Sequence, residues 1–249
     1  MQKIIAIGGG EIGRPGFPIE TTRIDKEILR LTNKPRPRLL FIPTASSDAP
    51  GYVETVKKYF GRRLGCNIRV LYLLENKMRL LDIKKLVLSS DIIYVGGGNT
   101  LKMMNIWRKV GLDKLLILAA QKGIVLSGVS AGAVCWFKYA HSDSRKFSNR
   151  LSPYIKVSGL NLVSALLCPH YDFEKARKKS LKKIMKSTKE TAIALDNCAA
   201  LEILGDRYRI LTAKEGVSGY RCYYKNKKYY EDKIISSTAF HPLNELLKK

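Results

Sequence analysis

The sequence predicts an α/β protein: a mostly parallel, doubly wound sheet with extra antiparallel strands toward the C-terminus. Two observations carry this. Through the first 130 residues, short β-branched or aliphatic runs alternate with longer amphipathic stretches, the pattern of parallel strands joined by helices. After Ser130 the rhythm changes to a loop, one basic helix and several short strand-like segments. No Pro/Gly/Ser linker, internal repeat or low-complexity tract divides the 249 residues, so one domain over 1–249 is expected.

The expected strands are Lys3 to Gly8, Arg38 to Pro43, Asn67 to Leu73, Asp91 to Val95 and Ile124 to Gly128. Each is nearly continuously apolar, as strands covered on both faces are. Between them the helical pattern runs over Pro18 to Thr32, Gly51 to Leu64, Lys77 to Leu88 and Asn99 to Gln121. Gly111 is expected to break the last of these into two. Beyond Ser130 come a loop from His141 to Pro153, an apolar run Leu162 to Cys168, a helix Phe173 to Thr188, and short strands to about Ile235.

Apolar residues make up 45% and charged residues 27%, which excludes disorder as the main theme. No apolar run approaches the roughly 18–20 residues of a membrane helix, and Met1-Gln2-Lys3 leads straight into strand rather than signal peptide, so a cytoplasmic protein is expected. Cys66, Cys135, Cys168, Cys198 and Cys222 show no CxxC spacing and imply reduced thiols without a zinc site. The excess of 45 Lys+Arg over 21 Asp+Glu, a net +24, is compatible with nucleic acid, an anionic surface or acidic substrates.

The sharpest motif is Gly128-Val129-Ser130-Ala131-Gly132, between an expected strand and a helical run Ala131 to Phe137. It is the nucleophile elbow G-x-S-x-G in its required context: small neighbours permit a tight turn that exposes Oγ, and the following N–H groups face a developing oxyanion. The plain alternative is a glycine-rich turn with an incidental serine. A second cluster, Gly96-Gly97-Gly98-Asn99-Thr100, ends the preceding strand and lies beside Ser130 if the two strands are adjacent. Its backbone at Gly97 then supplies one oxyanion donor and Ala131 the other, although a helix-entry loop capped by Asn99 or Thr100 explains the same residues.

Gly8-Gly9-Gly10-Glu11-Ile12-Gly13 formally contains G-x-G-x-x-G. Pro15 and Pro18 interrupt the helix a dinucleotide site needs, and Phe41-Ile42-Pro43-Thr44 lacks its acidic ribose ligand. The loop is read instead as rim of the site. For the general base, His170 just past an apolar strand is preferred over His141 and His241. For the orienting acid, Asp196 after Ala192-Ile193-Ala194-Leu195 is preferred, with Asp143 as rival.

These residues closely resemble the peptidase E family of serine peptidases, which includes α-aspartyl dipeptidase and cyanophycinase and has a fold similar to the class I glutamine amidotransferases. The resemblance spans nearly the whole chain: Ile7 to Gly10, Ile42-Pro43-Thr44-Ala45-Ser46, Gly96 to Thr100, Ser130-Ala131-Gly132-Ala133, Pro169-His170 and Ala194-Leu195-Asp196. It implies a triad in the order Ser130, His170, Asp196, where the family often has glutamate in the acid position. It implies hydrolysis of peptide bonds in small peptides, with an acidic N-terminal residue as the expected preference, without metal or cofactor. Asp143 matches an aspartate that shapes the family's site. Arg177 falls inside the apolar stripe of its helix, with Phe173, Ala176, Leu181 and Ile184, opposite a face of seven lysines. It is expected to read a substrate carboxylate, as aspartyl dipeptidases use an arginine after the histidine, though their intervening loop is longer. Asn99, Asp143 and Arg177 are thus the expected substrate-binding residues.

Three competing readings stand beside this one. A glutamine amidotransferase has cysteine where Ser130 stands. An α/β-hydrolase esterase places its acid before its histidine, an order that Asp143 but not Asp196 satisfies. A nucleic-acid-binding protein would use the lysine face with Lys225, Lys227 and Lys228 among Tyr223, Tyr224, Tyr229 and Tyr230, but no recognised binding motif is present. The partners expected are therefore a small peptide, with no membrane and no nucleic acid, and a homodimer is admitted as the assembly.

Overall fold

In the computed structural model, which describes residues 1–74, 78–173 and 175–248, the chain forms two sheets rather than one. The elements run β1 (Lys3–Ile7), α1 (Thr22–Arg30), β2 (Arg38–Ile42), α2 (Pro50–Val56) continuing as a π-helix over Lys57–Arg63, β3 (Asn67–Val70), α3 (Leu80–Leu88), β4 (Ile92–Val95), α4 (Thr100–Val110), α5 (Leu112–Gln121) and β5 (Val125–Val129). Then come α6 (Ala131–Val134), β6 (Phe137–Ser142), β7 (Ile155–Ser158), β8 (Val163–Cys168), α7 (Lys175–Met185), β9 (Ala192–Leu195), β10 (Ala199–Leu204), β11 (Arg207–Thr212), β12 (Gly219–Lys225), β13 (Lys228–Ile234), β14 (His241–Pro242) and α8 (Leu243–Leu247). Lys77, where the third helical pattern begins, lies outside the described residues.

The eight-stranded sheet has the order β14-β11-β10-β1-β5-β4-β2-β3. Its β1, β5, β4, β2 and β3 are mutually parallel, and β10, β11 and β14 add to it antiparallel. Strand β1 is central, and its Ile4 to Ile7 are fully buried. Alternate residues face opposite ways: Ile5 and Ile7 meet α1 and α2, whereas Ile4 and Ala6 meet α3, α4, α5 and the second sheet. Each buried isoleucine contributes about 2–3 kcal/mol, which fixes this layer order firmly. Gly111, at φ 74°, separates α4 from α5 as its lack of a Cβ permits.

The later strands β10, β11 and β14 extend the first sheet through antiparallel pairs, as expected of some of them, and the others form a second sheet, β13-β12-β9-β8-β6-β7. Its β6, β8 and β9 are parallel, with β7, β12 and β13 antiparallel at its flanks. Ala165, Leu167, Ile193 and Leu195 face the first sheet, while Leu166, Cys168, Ala192 and Ala194 pack against Leu181 and Met185 of α7. Phe173, expected in the buried stripe of α7, is 76% exposed, and Ala176 is exposed too. All five cysteines are buried thiols. Among the described residues no helix is long and apolar enough to cross a membrane.

Candidate active site

Strand β5 delivers Ser130 at φ 54°, ψ −111°, a conformation costing a non-glycine residue about 1–3 kcal/mol. Three backbone hydrogen bonds enforce it: Ser130 N–H donates to Ile7 at 3.0 Å, and the Ser130 carbonyl accepts from Ala133 and Val134 at 2.9 and 3.0 Å. The flanking glycines are required by space. A Cβ on Gly128 would lie 2.5 Å from the carbonyl oxygens of Gly132 and Val95, and one on Gly132 would lie 2.0 Å from that of Val95. The helix after the serine is one turn, and the chain re-enters a strand at Phe137, where the sequence suggested helix to that point. The Ala131 N–H at its start therefore has little macrodipole behind it.

Strand β8 delivers His170, itself at φ 52°. Its N–H donates to Gly8 at 3.1 Å and that of Tyr171 to Leu195 at 3.0 Å, which ties the turn to the ends of β1 and β9. The ring then reaches Ser130, with Nε2 2.9 Å from Oγ. On the far side Nδ1 lies 2.7 Å from Oδ1 of Asn197. The Nδ1 proton donated to that carboxamide oxygen leaves the Nε2 lone pair for the serine hydroxyl.

Asn197, not Asp196, thus meets the imidazole. Asp196 continues the β9–β12 ladder, its N–H donating to Ser218, and its side chain turns away. The Asp196 carboxylate accepts from Ser218 N–H at 2.8 Å and Tyr220 O–H at 3.3 Å, and burial raises its pKa. Neighbouring residues point to opposite sides of an extended chain, so the next residue, in the turn between β9 and β10, faces His170. Asn197 N–H in turn donates to the Asp172 carboxylate at 2.8 Å. Asp143, the rival acid, pairs instead with Arg177 at 3.4 Å.

Gly9 closes the arrangement from the β1 side. A Cβ there would stand 1.9 Å from Asn197 Oδ1 and 2.4 Å from His170 Nδ1, so the glycine leaves the volume the pair occupies. Gly97 packs beside the serine, where a Cβ would lie 3.6 Å from that of Ser130, and its N–H donates to the Tyr52 hydroxyl at 3.4 Å.

A cavity of about 540 Å³ opens over these groups, lined by the first glycine loop (Gly10, Glu11, Ile12, Arg14), by Tyr52 and Thr55 of α2, and by Gly97, Ser130 and His170. The three expected substrate-binding residues are not in its wall. Asn99 caps α4, accepting from Lys102 N–H and donating to the Ser144 carbonyl. Arg177 is 2% exposed, donates to Asp143 and to the His141 carbonyl, and lies over the Tyr154 ring at 4.9 Å. His141 is buried against Tyr154, Ser180 and Cys168, and its pKa is pushed down to about 3 by that burial and by Arg177. The cavity cation among the described residues is Arg14, 2.5 Å from Glu11.

The sequence pattern of Peptidase family S51 matches residues 4–211. The uncharacterized peptidase YgaJ of Bacillus subtilis (strain 168) is 34% identical over 225 residues, 89% of this chain and 92% of its own length. Peptidase E of Streptomyces coelicolor is 24% identical over 181 residues, 68% of this chain and 69% of that one. A crystal structure of a peptidase from an acI-B1 actinobacterium matches with a TM-score of 0.70 at 19% identity, over 97% of both chains, a likeness of fold.

Proposed function

The chain belongs to peptidase family S51, the peptidase E family of serine peptidases, and on that footing we propose that it hydrolyses small peptides through an acyl-enzyme on Ser130. The observation that carries this reading is the 2.9 Å approach of Ser130 Oγ to His170 Nε2 at the cavity wall. Oγ bonds to the scissile carbonyl carbon as its proton passes to Nε2, and the carbonyl π pair moves to oxygen. The N–H groups of Gly97 and Ala131 receive that oxyanion. When C=O re-forms, the C–N bond breaks and the Nε2 proton departs with the amine. Water then gives a proton to Nε2 and its oxygen to the acyl carbon. The second collapse frees the acid and returns the proton to Oγ.

Asn197 holds the ring and its tautomer through both halves. Being neutral, it stabilises the imidazolium only by its dipole, and the Asp172 carboxylate on its N–H supplies negative charge behind it. A preference for an acidic N-terminal residue is assigned to Arg14, because Arg177 is engaged elsewhere. The guanidinium, held by Glu11 at the rim, is placed to take a substrate carboxylate. A volume of about 540 Å³ suits a short peptide rather than a folded protein.

The test is a fluorophosphonate probe with peptide mapping, run beside a panel of dipeptides. The expected result is a label on Ser130 that His170→Ala abolishes, together with dipeptide hydrolysis. A folded sample that takes no label and cleaves no dipeptide removes the proposal.

A further inference from the structure

We propose that Tyr52 is a catalytic residue, its hydroxyl donating to the oxyanion beside the Ala131 N–H, with the Gly97 N–H shared between the phenol oxygen it holds at 3.4 Å and the oxyanion; this rests on the acyl-enzyme reading above. The phenol oxygen lies in front of the Gly97 N–H, at 3.4 Å, in the wall of the cavity that holds Ser130. Since that oxygen accepts from Gly97, its own proton points elsewhere, and no acceptor among the described residues takes it. An oxyanion formed on Ser130 beside Gly97 is the acceptor the arrangement lacks.

The position is built rather than incidental. Pro50 opens α2, so Tyr52 projects from its first turn. The ring lies over Gly96, where a Cβ would come within 2.8 Å of Cε1, so only glycine leaves it room. Phe41 packs edge-on against it at 5.2 Å. Burial pushes the phenol up to about 12, which keeps it a neutral O–H donor throughout the range in which His170 chemistry runs. The hydroxyl thus has a fixed ring, a retained proton and a place beside one of the two backbone donors.

The reaction gains nothing covalent from Tyr52. Its O–H shortens onto the oxygen as the π pair arrives and relaxes as C=O re-forms, keeping its proton.

The experiment uses the full chain with Tyr52→Phe, which keeps the ring packing, and Tyr52→Leu, which loses ring and hydroxyl together. Steady-state kinetics on the best dipeptide are paired with the affinity of a peptide boronate, which forms a tetrahedral adduct on serine. The expected result is a fall in kcat of about 10²-fold for both variants with KM within about threefold. Boronate affinity falls by the same factor, and the melting temperature of Tyr52→Phe is unchanged. Full or increased kcat in Tyr52→Phe overturns the inference, because the hydroxyl would then be a plug on Gly97. A loss confined to KM overturns it too. A wild type that takes no fluorophosphonate overturns the hydrolase reading, and this one with it; a labelled, active wild type with fully active Tyr52→Phe overturns this inference alone.

Discussion

Oδ1 of Asn197 stands 2.7 Å from Nδ1 of His170, where a serine-protease relay ordinarily has a carboxylate, while the carboxylate of the preceding Asp196 is turned onto Ser218 and Tyr220. Single substitutions separate the two neighbours. Asn197→Ala is expected to lower kcat about 10²-fold or more by releasing the ring, whereas Asp196→Asn keeps kcat within about threefold. Asn197→Asp retains activity and moves the acidic limb of the pH–rate profile upward, because a carboxylate favours the charged imidazole. Steady-state pH profiles of the three variants check this, and a larger loss for Asp196→Asn than for Asn197→Ala would falsify it.

Gly9→Ala tests the same pair without touching either member. Its Cβ must displace Asn197 Oδ1 or the imidazole, and a shift of about 1 Å in a reacting group costs about 10²-fold. The expected outcome is that loss in kcat, read with circular dichroism that shows an intact fold. Undiminished kcat would mean that the contact is dispensable.

Arg177 and Arg14 are predicted to fail in different ways. Arg177→Ala takes a buried partner from Asp143 and the His141 carbonyl, and should lower the melting temperature by about 5 °C with selectivity unchanged. Arg14→Ala, at the exposed rim, should leave the melting temperature alone. It should reduce kcat/KM for Asp-X dipeptides about tenfold more than for Ala-X. Equal losses on both peptides would remove Arg14 from substrate selection.

Asp25 gives stability a pH dependence. It is fully buried, and burial lifts its pKa to about 7 against the opposing hydrogen bonds from Thr21 and Tyr59, at 2.7 and 2.8 Å. In the unfolded chain the proton leaves near the ordinary value of 3.8, so between these limits the folded chain binds more protons. Stability therefore falls as pH rises from about 4 to about 7, then levels. Asp25→Asn should flatten that slope, raising the melting temperature at pH 8 relative to pH 4 by about 5 °C more than in the parent. Melting curves across pH decide it; an unchanged slope would assign the dependence to other groups.

The sequence makes the first half of the fold legible because β1, β2, β4 and β5 are covered on both faces and read as largely apolar runs, with β3 at the sheet edge the exception. It also makes the serine turn legible, since Gly128 and Gly132 answer to local crowding. The second sheet is less legible: short strands such as β6 and β9 take their partners from across the chain, and nothing local states which sheet they join. Asn197 was missed for a reason one residue long. The apolar run ending at Leu195 marks where the strand stops, and only side-chain alternation in the β9–β12 ladder says which of the next two residues faces inward. Tyr52 carries no local sign at all, because it becomes a neighbour of Gly97 only when α2 packs over the end of β4. Arg177 does lie inward, as its helical period implies, but what it meets there is Asp143 and Tyr154 rather than the cavity.

Ser130 ends a strand of one sheet, His170 follows a strand of the other, and Asn197 sits where the chain passes back between them. On the proposed mechanism, hydrolysis needs both sheets docked together, because one supplies the hydroxyl and the other the imidazole, so any loosening between the layers would disarm the site before either layer unfolds.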